Sequence, residues 1–200
     1  MITTLLILTT AITSVLAFRR DHIYYRLLFN AWQIKYRNEY WRFLSYGLVH
    51  AGWGHLLINM MVLYSFGSNV EDVFVSTFGL SNGSIKYLGF YILSIFISTL
   101  WDYVKHKDNV HYNAVGASGA VSAVLFSSIL ISPNARLIVF PLPIPIPAYL
   151  FGILYLLYTI VMARKNNDNI GHAAHLTGAL FGLIFTFILL HDPLIAMYLS

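Results

Sequence analysis

Of the 200 residues, 58% are hydrophobic and only 10% charged, with a mean hydropathy of +0.68. That excludes an ordinary soluble domain, where about a quarter of residues are charged, and makes an integral membrane protein the expectation. The net charge of +4 points to basic loops lying on anionic headgroups rather than to nucleic acid. The lack of cysteine rules out disulfides and a thiol nucleophile.

In lipid the backbone must satisfy its own hydrogen bonds, so the expected fold is an all-α bundle. About six spans fit the length, with little left for a soluble part, and residues 1–200 read as one membrane domain. The first span is 1–18. It lacks a basic start and ends in Arg19-Arg20, which suits a retained span better than a cleaved leader. Residues 19–42 mix Arg, Lys, Tyr and Trp and close on Trp41-Arg42. That mixture predicts a first loop lying at the membrane interface.

The second span, 47–66, carries His50, His55 and Asn59, which are expensive groups at that depth. On one helix, His55 and Asn59 share a face, while His50 stands about 140° away. Residues 67–84, with Glu71 and Asp72, read as a connection, 85–101 as the third span, and 102–113 as a polar loop. The fourth span, 117–131, opens in Val115-Gly116-Ala117-Ser118-Gly119-Ala120. Prolines 141, 143, 145 and 147 keep the lead into the fifth span, 148–162, extended. A short polar loop, 164–171, precedes the sixth span, 172–190.

Ser118 between small residues leaves a hydroxyl and a backbone N–H open to close approach, as a nucleophile and an oxyanion donor require. The same pattern also serves plain helix packing. His172 and His175 open the sixth span, and Gly178 and Gly182 follow at four-residue spacing. That seam allows a close neighbour. The fourth span, with Gly116, Gly119 and Ala120, is the natural one, and contact there would bring His175 to Ser118 as a general base. His55 and Asn59 read either as interhelical bonds or as polar groups facing a wet cavity. A histidine metal cluster is the weaker alternative, because the acids Glu71, Asp72 and Asp102 fall in connections. In an alternating bundle the starts of spans two, four and six face one side, so His55, Ser118 and His175 share a depth.

These residues resemble the rhomboid intramembrane serine proteases. The resemblance rests on Trp41-Arg42, His55-x-x-x-Asn59, Gly116-x-Ser118-Gly119 and Ala174-His175-Leu176-x-Gly178 with Gly182, and covers most of the chain from Trp41 to Leu190. It implies a six-helix rhomboid-like bundle in which Ser118 is the nucleophile and His175 the base, without a carboxylate. His55, Asn59 and the Ser118 N–H would form the oxyanion hole. Trp41, Arg42, Glu71, Gly116, Gly119, Gly178 and Gly182 would support it, Glu71 by bracing the first loop and the second span. No metal or cofactor is implied. The substrates would be transmembrane segments weakened by Gly or Pro, and the location a bacterial inner membrane. One departure stands out. The family often has an aromatic four residues after the nucleophile, packed on the base, where this chain has Ser122.

Two other functions remain open on residues alone: a silent module of the same fold that binds transmembrane helices, and a histidine-lined transporter. Orientation is also in conflict. Ten of the twelve basic residues fall after spans one, three and five, which by the positive-inside rule puts the site-side loops in the cytoplasm. The family resemblance implies a site opening outward. We follow the family, because six of the ten sit in the one interfacial loop.

Overall fold

A computed structural model describes residues 1–139, 142–165 and 171–199. Helix α1 (Ile2–Arg19) is followed by three short helices, α2 (Asp21–Leu27), α3 (Ala31–Arg37) and α4 (Arg42–Ser45). Then come a 3-10 turn (Tyr46–Leu48), α5 (Trp53–Phe78), α6 (Leu80–Ser98), α7 (Leu100–His106) and α8 (Ser118–Ile131). Strands β1 (Arg136–Val139) and β2 (Leu142–Pro147) lead to α9 (Ala148–Lys165) and α10 (His172–Leu199). Among the described residues, four helical stretches are long and apolar enough to cross a membrane: Ile2–Arg19, Leu80–His106, Ala148–Lys165 and His172–Asp192.

Helix α8 is the hub. Twelve of its fourteen residues are buried, which is why the segment is apolar all round rather than on one stripe. It packs most extensively against α10 and also against α5, α6 and α9. Polar bonds pin these neighbours. Thr186 Oγ1 donates to Ser127 Oγ at 2.7 Å and Asn69 Nδ2 to Ser128 Oγ at 3.0 Å, each contributing about 0.6 kcal/mol in a membrane setting. At 1.5 Å per residue α8 is only about 21 Å long, shorter than a hydrocarbon core of about 30 Å. Ser118 is its first residue.

The second helix departs from expectation. It begins at Trp53, six residues later than the predicted span, and runs to Phe78. Glu71 and Asp72 therefore lie within a helix, not a connection. Glu71 is buried because it accepts hydrogen bonds from the backbone N–H groups of Ile2 (2.6 Å) and Thr3 (2.9 Å). A carboxylate at a helix N-terminus satisfies donors that have no intrahelical acceptor. Glu71 thus ties the second span, α5, to α1, and among the described residues it has no hydrogen bond to the first loop, where a brace was expected. His50 precedes the helix, in the turn after Val49, so the 140° argument does not apply to it.

The extended lead into α9 is half of a hairpin, a small exception to an all-α fold. Leu137 pairs with Ile146 and Arg136 with Pro147, and the Ala148 N–H bonds to Ala135 O at 2.9 Å. On that register Ile146, like Ala148, faces β1, and the register shifts farther along, between Leu137 and Val139. Pro145 and Pro147, on either side of Ile146, take the opposite edge, where a missing N–H breaks no ladder bond. Pro141 and residues 166–170 of the predicted polar loop lie outside the described residues. In α10 the helix is interrupted at Leu190 (φ −112°, ψ 18°). In sequence, a proline follows three residues on, at 193, a residue type that cannot donate the i to i−4 bond a continuous helix needs.

The first loop is held by Arg42, which is 5% exposed. Its guanidinium donates to the carbonyls of Leu28 (2.6 Å) and Tyr25 (3.1 Å) and to the Glu39 carboxylate (2.5 Å). Trp41, by contrast, is half exposed at the start of α4. Substitution Arg42→Ala strips three acceptors of their partner and is expected to cost about 3 kcal/mol. Arg42→Lys should recover only part of this, since an ammonium lacks the planar fork. Thermal unfolding in detergent measures both, and a parent-like midpoint for Arg42→Ala would refute the brace.

Candidate active site

The segment that delivers Ser118 is clamped from the first loop. Phe29 and Ala114 exchange two backbone bonds, of 2.9 and 3.1 Å. The Asn30 amide donates to Val110 O (2.9 Å) and Asn113 Oδ1 (2.9 Å) while its oxygen caps α3 at Gln33 N–H. Farther out, the Lys35 ammonium (2.5 Å) and Tyr36 hydroxyl (2.8 Å) reach Asp108. Their hydrogen bonds hold that carboxyl below its ordinary range, Lys35 first.

Gly116 then turns the chain into α8. Its φ is +112°, and a Cβ there would stand 2.5 Å from Cε1 of His55. Glycine is required on both counts. The Gly116 N–H bonds to Tyr46 O at 3.0 Å. Next to it, the Ala117 N–H reaches Nε2 of His50 at 3.4 Å. The other ring nitrogen of His50, Nδ1, lies 3.0 Å from Ser14 Oγ, whose hydroxyl is donated to Leu48 O. Only one tautomer satisfies all three: Nδ1 carries the proton and Nε2 accepts. His50, fully buried, therefore links α1 to the residue before Ser118. Its role was not legible beforehand, because it depends on Ser14, distant in sequence.

Helices α8 and α10 meet along the glycine seam. A Cβ on Gly178 would overlap the carbonyl oxygen of Gly119, and one on Gly182 that of Ala123. Gly119 in turn sits against Ser98, where a Cβ would lie 2.5 Å from Oγ. This contact brings His175 Nε2 to 2.7 Å from Ser118 Oγ, a distance at which an imidazole can take the hydroxyl proton. Among the described residues no carboxylate bonds to His175. His172, one turn earlier, faces the His175 ring edge-on at 6.1 Å.

Opposite the pair stand His55 and Asn59. The Ala51 N–H reaches His55 Nδ1 at 3.4 Å, which leaves the proton on Nε2, the nitrogen nearest Gly116. Asn59 donates one amide hydrogen to His55 O at 2.8 Å, and the second is available to a ligand. Ser118, being the first residue of α8, has an N–H without an intrahelical acceptor. His55, Asn59, Ser118 and His175 all line one cavity of about 1490 Å³. Its walls include Phe151, Tyr155 and Tyr158 of α9. No group of three His, Asp or Glu suited to a metal occurs among the described residues.

Tyr155 was missed from the sequence. Its ring stacks on His175 at 6.5 Å and 27°, and its hydroxyl lies 2.9 Å from Ser122 Oγ. A signal was present: Ala148, Gly152, Tyr155 and Thr159 recur every three or four residues, and Ala148, Gly152 and Thr159 are the buried residues of α9.

A family model described as Rhomboid domain matches residues 37–192. The chain is 30% identical over 174 residues to rhomboid protease GlpG of Haemophilus influenzae, covering 84% of this chain and 79% of that protein. It is 31% identical over 159 residues to putative rhomboid protease YdcA of Bacillus subtilis, covering 75% and 67%. It is 33% identical over 137 residues to the mitochondrial RHOMBOID-like protein 12 of Arabidopsis thaliana, covering 65% and 40%. The chain spans only 32% to 42% of the longer relatives, the plant protein among them.

Proposed function

The chain belongs to the rhomboid family of integral membrane proteins, and from that premise we propose that it is an intramembrane serine endopeptidase using a Ser118–His175 dyad. One observation carries the reading: the 2.7 Å approach of His175 Nε2 to Ser118 Oγ on the wall of a cavity shared with His55 and Asn59. The single unit comprises six crossings, with α5 and α8 joining the four long apolar helices. It sits in a bacterial inner membrane with the site opening outward.

The chemistry is acyl transfer. His175 Nε2 accepts the Ser118 proton as Oγ bonds to the peptide carbonyl carbon. The oxyanion is held by the Ser118 N–H, His55 Nε2–H and Asn59. Collapse breaks the C–N bond, and the leaving amine takes the proton from His175. Water then attacks the acyl ester with His175 again as base, and Ser118 regains its proton. A membrane helix hides its carbonyls in i to i−4 bonds, so substrates are transmembrane segments with helix-weakening Gly or Pro near the cut.

A serine-directed fluorophosphonate tests this on the purified protein. Labelling that depends on Ser118 supports the peptidase. A folded, unlabelled parent protein favours the silent helix-binding module. The oxyanion assignment has its own test. Asn59→Ala should lower kcat by about 10- to 100-fold, with KM little changed, because the donor acts on charge that develops only in the transition state. An unaltered kcat would remove Asn59 from the hole.

A further inference from the structure

We propose that Tyr155 is a positioning residue that aligns His175, and that its place on α9 makes the alignment of the base depend on where that helix sits. The inference rests on the peptidase reading and adds a residue outside the motif. Ser122 lies four residues after Ser118 on α8, hence on the same helical face. Its hydroxyl holds the Tyr155 hydroxyl at 2.9 Å, and Phe126, one further turn along, flanks the same ring at 5.6 Å. The ring is thereby fixed to the face that bears the nucleophile, and stacks at 27° on the imidazole that serves it. The small Ser122 leaves the room that the tyrosine of another helix fills. Aromatic pairs with centroids 4.5–7 Å apart attract and restrict one another's tilt, and an imidazole free to tilt loses its bond to Oγ.

Helix α9 is the element to carry such a coupling. Only Ala148, Gly152 and Thr159 of its eighteen residues are buried, and it forms one wall of the cavity. Moving α9 outward widens the cavity and draws the ring off His175 in one motion. The base is then fully aligned only when α9 is docked on α8.

Steady-state cleavage of a transmembrane substrate and the rate of fluorophosphonate labelling together test the idea. Tyr155→Leu should reduce kcat by about 10- to 100-fold, leave KM within about 2-fold, and slow labelling in parallel. Tyr155→Phe keeps the ring and should lose only about 3-fold. Ser122→Ala should lose the same, and the double variant no more than either, since both remove one bond. A Tyr155→Leu protein that labels at the parent rate overturns the proposal, as does a defect confined to KM. If Tyr155→Leu does not fold, parent-like labelling of both Tyr155→Phe and Ser122→Ala overturns it. A parent protein without Ser118-dependent labelling defeats the peptidase reading itself, and this inference with it. Normal parent labelling with an indifferent Tyr155 defeats the inference alone.

Discussion

Ser118→Ala should cleave a Gly-containing transmembrane substrate at least about 10⁴-fold more slowly than the parent, and His175→Ala comparably. The reason is that the two side chains form one device. With the hydroxyl gone there is no atom to accept the acyl group. With the imidazole gone the hydroxyl keeps its proton and is a poor nucleophile at neutral pH. The losses should not add, so the double variant is as slow as either single one. Ser118 is half-buried at a helix start, so Ser118→Ala should insert and melt close to the parent. Substrate cleavage in liposomes, read beside the melting midpoint, decides. A Ser118→Ala protein that cleaves at the parent rate refutes the dyad.

Gly178→Ala is expected to damage both stability and rate. The added methyl would overlap the carbonyl oxygen of Gly119, and a backbone atom cannot rotate aside as a flexible side chain can. The helices must separate, at about 1–3 kcal/mol for an overpacked contact. The separation falls three residues from His175 and one from Ser118. A displacement of about 1 Å there costs on the order of 10²-fold in rate. Gly182→Ala provides the comparison. It meets Ala123 instead, one turn farther from the dyad, so it should lower the melting midpoint similarly while sparing more of the rate. Equal rates for Gly178→Ala and the parent would show that the seam can yield without moving the base.

What was legible in the sequence follows the cost of polarity in lipid. Ser118, His55, Asn59 and His175 stand out because a hydroxyl, an amide and imidazoles inside apolar runs need a reason, and their spacings put them at one depth. The Gly178 and Gly182 spacing likewise pointed to α8, the helix whose backbone they meet. The misreadings share a cause too. Glu71 looked like loop because its compensation, the first N–H groups of α1, lies about seventy residues away. His50 is explained by Ser14 and Ala117, neither adjacent in sequence. Tyr155 is one of fourteen tyrosines, and only the packing of α9 on α8 distinguishes it. Local pattern reports what a residue costs, whereas the partner that offsets the cost is a property of the tertiary structure.

The proline edge of the hairpin bears on what can reach the far side of the molecule. A strand offers a template to an incoming chain only if it presents alternating donors and acceptors, and at Pro145 and Pro147 this rim offers carbonyls alone. Backbone zippering by β-augmentation is closed to any peptide arriving there. An effector working from that surface has to be recognised through side chains, and among the described residues Arg136, Ile138 and Ile144 are exposed there.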